Sequence, residues 1–199
     1  QAFGGDGINA NTTGTGKIDI HTFSAVTAAG GDGIDASGNG GSITVTTDGT
    51  VSGDAGILAN VNGGAGNATV ISNKDVTGNT LDGIKATITG AGTGNVSVTV
   101  NNATTVTGTQ DGIEATTNGG GNVSVVTTAA GSVVDGNGGD GVRAQSSGGN
   151  GVIIVDLAGR VEGSQDGIET DTTGTGTTTR LTGTSSRRSR PARCSRRNW

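Results

Sequence analysis

Six aspartates recur at the same place in a repeated turn, and these carboxylates are the first candidates for chemistry in this chain. They are Asp6, Asp32, Asp82, Asp111, Asp140 and Asp166. If the repeats stack on one another, the six side chains form an acidic column. Carboxylate oxygens are the ligands that calcium prefers in proteins. The spacing therefore raises the hypothesis of a calcium-binding column.

A structural role for the same aspartates is the alternative. An Asp before Gly commonly caps its own turn by accepting a backbone hydrogen bond. Like charges about 4.8 Å apart in water repel by only about 0.9 kcal/mol, so a solvated column needs no ion. The stretch 63–68 comes nearest to the Gly-Gly-x-Gly-x-Asp repeat of calcium solenoids, but it has Ala68 where that repeat has Asp. We therefore expect that the protein needs no cofactor. The alternative is a solenoid that calcium stabilises.

An enzyme built on stacked coils needs clustered carboxylates with a basic residue, and commonly aromatic side chains that hold sugar rings. This sequence has one histidine, His21, and the repeats contain two aromatic residues, Phe3 and Phe23. The place of His21 beside Ile20 predicts an outward side chain rather than a general base. No Ser-His-Asp or Cys-His set can be assembled. We expect no enzymatic activity, and a polysaccharide-active enzyme is a lesser alternative.

Outward threonines raise one more class, the ice-binding solenoids, whose flat faces carry Thr-x-Thr ladders. Thr44 and Thr46 fit that pattern. The equivalents of Thr44 in other repeats are Asp19, Thr69, Ser97 and Ser124. This column is too mixed to favour ice binding.

The elements that would position these residues follow from an internal repeat, Asp-Gly-Ile-x-Ala, which is clearest at 6–10, 32–36, 82–86 and 111–115. Its apolar residues lie 23 to 29 positions apart along the chain. They are Ile8, Ile34, Ile57, Ile84, Ile113, Val142 and Ile168. A period near 27 residues is typical of a solenoid coil and not of a heptad.

Each repeat contains two further segments that read as strands. An alternating stretch follows a Gly-x-Gly-Asn-like turn, as at 96–100, and a Val-x-Gly segment closes the unit, as at 106–108. Alternation places Ile8, Ala10, Val96, Val98 and Val106 inside, and Asn9, Ser97 and Thr107 outside. The sequence predicts an all-β parallel β-helix, or β-solenoid, of about seven coils with three short strands each.

The composition agrees with narrow stacked strands. The chain has 41 Gly, two Phe, one Trp and neither Tyr nor Met among its 199 residues. Small and β-branched apolar residues suit strands better than helical layers. A glycine-rich chain can also be a flexible linker, but a linker does not require Val and Ile to return at fixed offsets from a turn.

The charge is divided between two parts of the chain. Residues 1–186 carry six basic and 17 acidic side chains, a net charge of −11, and the remaining residues carry +6. An acidic body repels nucleic acid and anionic membranes, so we expect neither partner for the repeats. We predict a solenoid domain over 1–182 and a basic, disordered tail over 183–199. The pattern stops abruptly there, as in a truncated or out-of-frame end.

The single cysteine, Cys194, lies in this tail, so the repeats stand without an intrachain disulfide. No run of 18 apolar residues is present to form a transmembrane helix. The chain begins Gln1-Ala2-Phe3, without Met or a signal peptide, and we expect a fragment or a processed product.

The Asp-Gly-Ile-x-Ala turn, the Gly-x-Gly-Asn-x-Val-x-Val strand and the Val-x-Gly segment together resemble the repeats of bacterial autotransporter passengers and large surface adhesins. The resemblance covers about residues 1–182 and lies in the style of the repeat. It implies a right-handed β-helix exported through the outer membrane and displayed for adhesion or aggregation. Its partners would be host or neighbouring-cell surface molecules, or further copies of itself. The sequence shows neither the signal sequence nor the translocator barrel of that family.

Overall fold

A computed structural model of the chain describes residues 4–182 and 194–196. In this part of the chain the protein is a parallel β-solenoid without a helix, as the repeat predicts. Successive strands belong in turn to three sheets, which we name A, B and C, so that every third strand returns to the same sheet.

Sheet A holds the strands that follow the Asp-Gly turn. They are β1 (Ile8–Thr12), β4 (Ile34–Gly38), β7 (Ile57–Val61), β10 (Ile84–Ile88), β13 (Ile113–Thr117), β16 (Val142–Ser146), β19 (Ile168–Thr172) and β21 (Cys194–Arg196). Sheet B holds β2 (Ile18–Thr22), β5 (Ile43–Thr47), β8 (Ala68–Ser72), β11 (Val96–Val100), β14 (Val123–Thr127), β17 (Ile153–Leu157) and β20 (Thr178–Thr182). Sheet C holds β3 (Val26–Thr27), β6 (Val51–Gly53), β9 (Val76–Gly78), β12 (Thr105–Gly108), β15 (Val133–Gly136) and β18 (Arg160–Gly163).

The strands form six complete coils and two strands of a seventh, β19 and β20. All pairings are parallel, and equivalent positions of the repeat lie opposite each other, as Ile84 does with Ile113. The prediction of about seven coils with three strands each is confirmed in its period and strand number. A third strand of the seventh coil would follow Thr182, outside the described residues.

The core is a column of aliphatic side chains inside the coils. Val98 and Val106 are fully buried and Val96 is 1% exposed, while Ser97 and Thr107 face outward and are half-buried. Ile8 and Ala10 also point inward but are half-buried, because the first coil has a described neighbour on one side only. The predicted alternation is therefore confirmed. The core is less well covered in the first coil than in the middle of the solenoid.

Seven of the 41 glycines form a stack between sheets A and B. Its members are Gly16, Gly41, Gly66, Gly94, Gly121, Gly151 and Gly176. A Cβ at any member from Gly41 onward would collide with the carbonyl oxygen of the glycine one coil earlier. Close approach of successive backbones, rather than an unusual φ, therefore requires glycine at this corner.

The predicted disorder of 183–199 falls largely on residues outside the described part, 183–193 and 197–199. Within the tail, Cys194–Arg196 forms β21, which pairs in parallel with residues 170–172 of β19. Among the described residues no helix is long and apolar enough to cross a membrane.

Candidate functional site

The six aspartates form two runs of hydrogen bonds between coils, one from Asp6 through Asp32 and one from Asp82 to Asp166. The Oδ1 atom of one aspartate accepts a hydrogen bond from the backbone N–H of its counterpart in the next coil. The N to O distances are 2.8 Å from Asp32 to Asp6, 3.0 Å from Asp111 to Asp82, 2.7 Å from Asp140 to Asp111 and 2.9 Å from Asp166 to Asp140. In the third coil Ala55 takes the place of Asp and donates its N–H to Asp32 at 2.9 Å.

The carboxylates thus cap the next coil rather than their own turn. The assumption that the column is solvated is wrong for its middle members, because the corner between sheets C and A buries them. Asp82, Asp111 and Asp140 are 2%, 8% and 6% exposed. Burial raises the pKa of Asp111, and the neighbouring charges of Asp82 and Asp140 raise it further. Burial likewise raises the pKa of Asp32.

Three carboxylates in the fourth and fifth coils come close enough to hold a cation. One oxygen from each of Asp82, Asp111 and Glu114 lies within 4.8 Å of the others. The Lys85 ammonium already binds two of them, with Nζ 3.3 Å from Asp82 Oδ2 and hydrogen-bonded to Glu114 Oε2. Burial alone would lower the pKa of Lys85, but the bonds to Glu114 and Asp82 raise it. A fixed ammonium therefore supplies positive charge at this cluster.

A second group of carboxylates, Asp140 and Glu169, joins the sixth and seventh coils. Burial, opposed by the amide hydrogen bond from Asp166 and reinforced by a hydrogen bond to Glu169, raises the pKa of Asp140 to about 6. Glu169 Oε2 also lies 3.5 Å from Arg143 Nε. This coil junction therefore changes its protonation in mildly acidic solution.

A shallow depression of about 540 Å³ lies along β18 and contains two carboxylates on neighbouring strands. Asp135 and Glu162 face each other in register, and Arg160 Nη1 donates to Glu162 Oε1 at 2.7 Å. Burial and the charge of Glu162 raise the pKa of Asp135. The depression combines paired carboxylates and a basic residue, and it lies apart from the Asp column.

The outer face of sheet B is free of charge over four coils. Two columns of outward side chains run along it, one of Thr44, Thr69, Ser97 and Ser124, the other of Thr46, Ile71, Thr99 and Val126. We call these two columns the neutral face. All of its side chains are half-buried, and six of the eight residues are β-branched, which restricts χ1. The equivalent face of sheet A carries Asp35, Lys85, Glu114, Arg143 and Glu169.

An amide row borders the neutral face where the strands of sheet B end. Asn73 Nδ2 donates to Asp48 Oδ1 at 2.7 Å, Asn101 Nδ2 donates to Asn73 Oδ1 at 2.8 Å, and Thr128 Oγ1 donates to Asn101 Oδ1 at 3.2 Å. We call these four residues the amide row. An amide nitrogen carries two hydrogens, and each of these two amides donates one of them along the row.

An aromatic pair stands at the first-coil end of this row. The rings of His21 and Phe23 lie with centroids 4.1 Å apart and planes tilted by 35°. His21 Nε2 lies 2.7 Å from Asp48 Oδ2, which holds the imidazole in place. Hydrogen bonds from His21 and from Asn73 lower the pKa of Asp48. Phe23 is 74% exposed, so its ring presents a face to solvent.

Sequence reasoning found the Asp column and the outward position of His21, but it missed the amide row and the exposed ring of Phe23. A signal was present, since Asp48, Asn73 and Asn101 each stand directly after an alternating strand. A second ladder, in which Asn67 and Asn95 accept backbone N–H groups of the next coil at 2.8 Å, explains the Asn of the Gly-x-Gly-Asn turn.

In comparisons with known proteins, no family model, no curated protein and no solved structure matches this chain.

Proposed function

We propose that this chain is a non-enzymatic structural and adhesive module of a secreted or outer-membrane-displayed bacterial protein. The observation that supports the proposal is the arrangement of its outward side chains. They stand in straight columns, such as Thr44, Thr69, Ser97 and Ser124, on a rod whose interior is filled by aliphatic residues. A rod of this kind presents the same chemistry at several places, which raises avidity for a repeated partner.

The covalent chemistry of the repeats suits export in the unfolded state. Residues 1–193 contain no cysteine, so refolding outside the cell requires no disulfide. Stability in a solenoid comes from contacts between neighbouring coils, so folding can spread from one coil to the next. The resemblance of the repeats to autotransporter passengers supports the same cell-surface location.

The partners in this proposal are surface molecules of a host or neighbouring cell, or further copies of the chain. Residues 1–186 carry a net charge of −11, and this charge repels nucleic acid and anionic membranes. A calcium-stabilised binding module is a weaker candidate, because the Lys85 ammonium already binds the carboxylates of Asp82 and Glu114 and offsets one of their charges. The depression with Asp135 and Glu162 is the place to test for a polysaccharide-active enzyme.

The test is adhesion of beads coated with the full chain to bacterial and epithelial cells. We expect more coated beads than albumin-coated beads to adhere, and we expect adhesion to be lost with the Gly94→Val chain, whose Cβ collides with the carbonyl of Gly66 and prevents stacking. Equal adhesion of coated and albumin beads to every cell type would contradict the proposal. Release of reducing sugar from neutral or acidic polysaccharides, abolished by Glu162→Gln, would show an enzyme instead.

A further inference from the structure

The neutral face and the amide row form one continuous surface, and the neutral face lacks the charged column that runs along the outer face of sheet A. The neutral face presents hydroxyl and methyl groups over four coils, and the amide row at its border adds the carboxylate of Asp48, with the exposed Lys74 close to it. The body as a whole carries a net charge of −11 through residue 186. A charged partner would lose its hydration on this face without gaining an ion pair in return. The surface therefore favours a partner that is uncharged and rich in hydroxyl groups.

Phe23 supplies the second observation. An apolar ring that is 74% exposed, braced by His21 at 4.1 Å between centroids, stands at the end of a row of amides. A ring face packs against the C–H face of a pyranose, while amides and hydroxyls bind its hydroxyl groups. Phe23 and Asn73 thus offer both types of contact that a sugar requires, two coils apart on one surface with Asp48 between them.

The dimensions of the neutral face argue against a second copy of the chain as occupant. Four strands about 4.8 Å apart, with five residues of about 3.3 Å each, cover roughly 300 Å². A stable protein partner buries about 800 Å² on each side. A narrow, extended chain needs less area, because it can make contacts along the whole line from Phe23 to Thr128.

We propose that the surface formed by Phe23, the amide row and the neutral face binds an extended, neutral β-1,4-linked glycan that lies along the solenoid axis. A β-1,4-linked chain is a flat ribbon that follows a straight row, whereas an α-1,4-linked chain coils away from it. The ring of Phe23 packs on one sugar, and the amides of Asn73 and Asn101 bind sugars farther along the chain. This inference rests on the proposed adhesive function and names its partner.

The experiment is calorimetric titration of the full chain with cellohexaose and chitohexaose, which are neutral and β-1,4-linked. Maltohexaose controls for linkage, and a hyaluronan hexasaccharide controls for charge. We expect one of the two β-1,4 probes to bind with a Kd below about 1 mM, and the two controls to bind at least about 10-fold more weakly. Failure of both β-1,4 probes to bind, or equal binding of maltohexaose, overturns the glycan proposal.

Two variants locate the site. We expect Phe23→Ala to weaken binding about 10-fold through loss of ring packing. Leu81→Ala removes another exposed apolar side chain, 40% exposed and remote from the neutral face, and should leave binding unchanged. Circular dichroism checks that both variants keep the β spectrum. Unchanged binding in Phe23→Ala, with its fold intact, overturns the assigned site.

The bead assay separates this proposal from the proposed function. Beads that adhere to cells while neither β-1,4 probe binds leave adhesion standing and overturn the glycan as partner. Binding of a β-1,4 probe without any bead adhesion would leave the glycan site standing and overturn the adhesive function. A concentration-dependent dimer that Thr46→Glu abolishes, without glycan binding, makes the neutral face a self-association surface and also overturns the proposal.

Discussion

The carboxylate of Asp111 accepts a hydrogen bond of 2.7 Å from the backbone nitrogen of Asp140, its counterpart one coil later. In the opposite direction, the backbone N–H of Gly112 donates to the carbonyl of Asp140 at 2.9 Å. Side chain and backbone together thus join two coils at the corner where sheet C gives way to sheet A. The aspartate of the repeat is a connector between coils, and its recurrence in six of the seven units follows from that geometry.

Removing this connector should destabilise the solenoid. Because Asp111 is 8% exposed, Asp111→Ala leaves the buried N–H of Asp140 without its acceptor, at a cost of about 2 kcal/mol in the free energy of unfolding. Asp111→Asn keeps an acceptor oxygen of the same size and should cost less than half as much. Urea unfolding followed by circular dichroism measures both. Equal losses in the two variants would mean that the charge, not the hydrogen bond, matters.

The glycine stack predicts a sharp contrast between two Gly→Ala changes. A Cβ at Gly94 would lie 2.8 Å from the carbonyl carbon of Gly66 and 3.1 Å from Ile88 Cδ1, so the coils must separate. We expect Gly94→Ala to cost at least about 2 kcal/mol in stability. Gly14→Ala meets no atom within 4 Å and should change stability by less than about 0.5 kcal/mol. Thermal melts that show similar changes for both would contradict a close-packed stack.

The buried hydroxyl of Thr22 lowers the stability of the first coils because it makes no hydrogen bond within the described part of the chain. Its Oγ1 is the one buried side-chain nitrogen or oxygen in the described residues that lacks a hydrogen-bond partner. Thr22→Val replaces this hydroxyl by a methyl of similar shape and should raise stability by about 1 kcal/mol. At the equivalent position of the next coil, Thr47 Oγ1 lies 3.3 Å from Ser72 Oγ, so Thr47→Val should give no such gain. Differential scanning calorimetry distinguishes the two; a loss of stability in Thr22→Val would contradict the prediction.

Mild acid should stabilise the protein. The pKa of Asp140 is about 6 in the folded protein, above its ordinary value of 3.8. The folded state therefore holds this proton more tightly, and the resulting stability is complete below the ordinary pKa and is lost as pH rises through about 6. Burial also raises the pKa values of Asp32 and Asp111, which act in the same direction.

We therefore expect a higher melting temperature at about pH 4.5 than at about pH 7.5. Asp140→Asn removes the titrating group and should flatten the part of the curve around its pKa. A melting temperature that rises steadily from acid to neutral pH would show that other carboxylates dominate.

Calcium should have little effect on stability. The Oδ1 atoms of Asp82 and Asp111 already accept backbone hydrogen bonds, and the Lys85 ammonium offsets one negative charge of the cluster. We expect melting temperatures in millimolar calcium and in excess chelator to agree within about 1 °C. A rise of several degrees with calcium that magnesium does not reproduce would instead identify the Asp column as a metal site.

Much of the fold could be predicted from the sequence because the pattern that specifies it is visible within one or two repeats. Alternation of apolar and polar residues fixes which side of a strand faces inward, so Val98 and Ser97 could be assigned without a structure. The spacing of Ile84 and Ile113 gives the length of one coil, and a parallel in-register ladder follows when equivalent residues stack.

The candidate site could be predicted only in part. The positions of Asp82 and Asp111 in the repeat indicated a column, but burial of that column and its hydrogen bonds to the next coil depend on how tightly the corner packs. Lys85 could not be placed between Asp82 and Glu114 from its own repeat, because Glu114 lies 29 residues away along the chain. The surface of Phe23 and Asn73 likewise joins residues of different coils.

By itself, the sequence determined the all-β class, the three-strand coil, its period and the division between inward and outward residues, because each depends on patterns within one or two repeats. Tertiary structure decided which outward residues become neighbours. Stacking brings Phe23, Asp48, Asn73 and Asn101 into one line, and it buries Asp111 at a corner. Contacts between coils depend on register and corner geometry, and these are set by the packing of all the coils together.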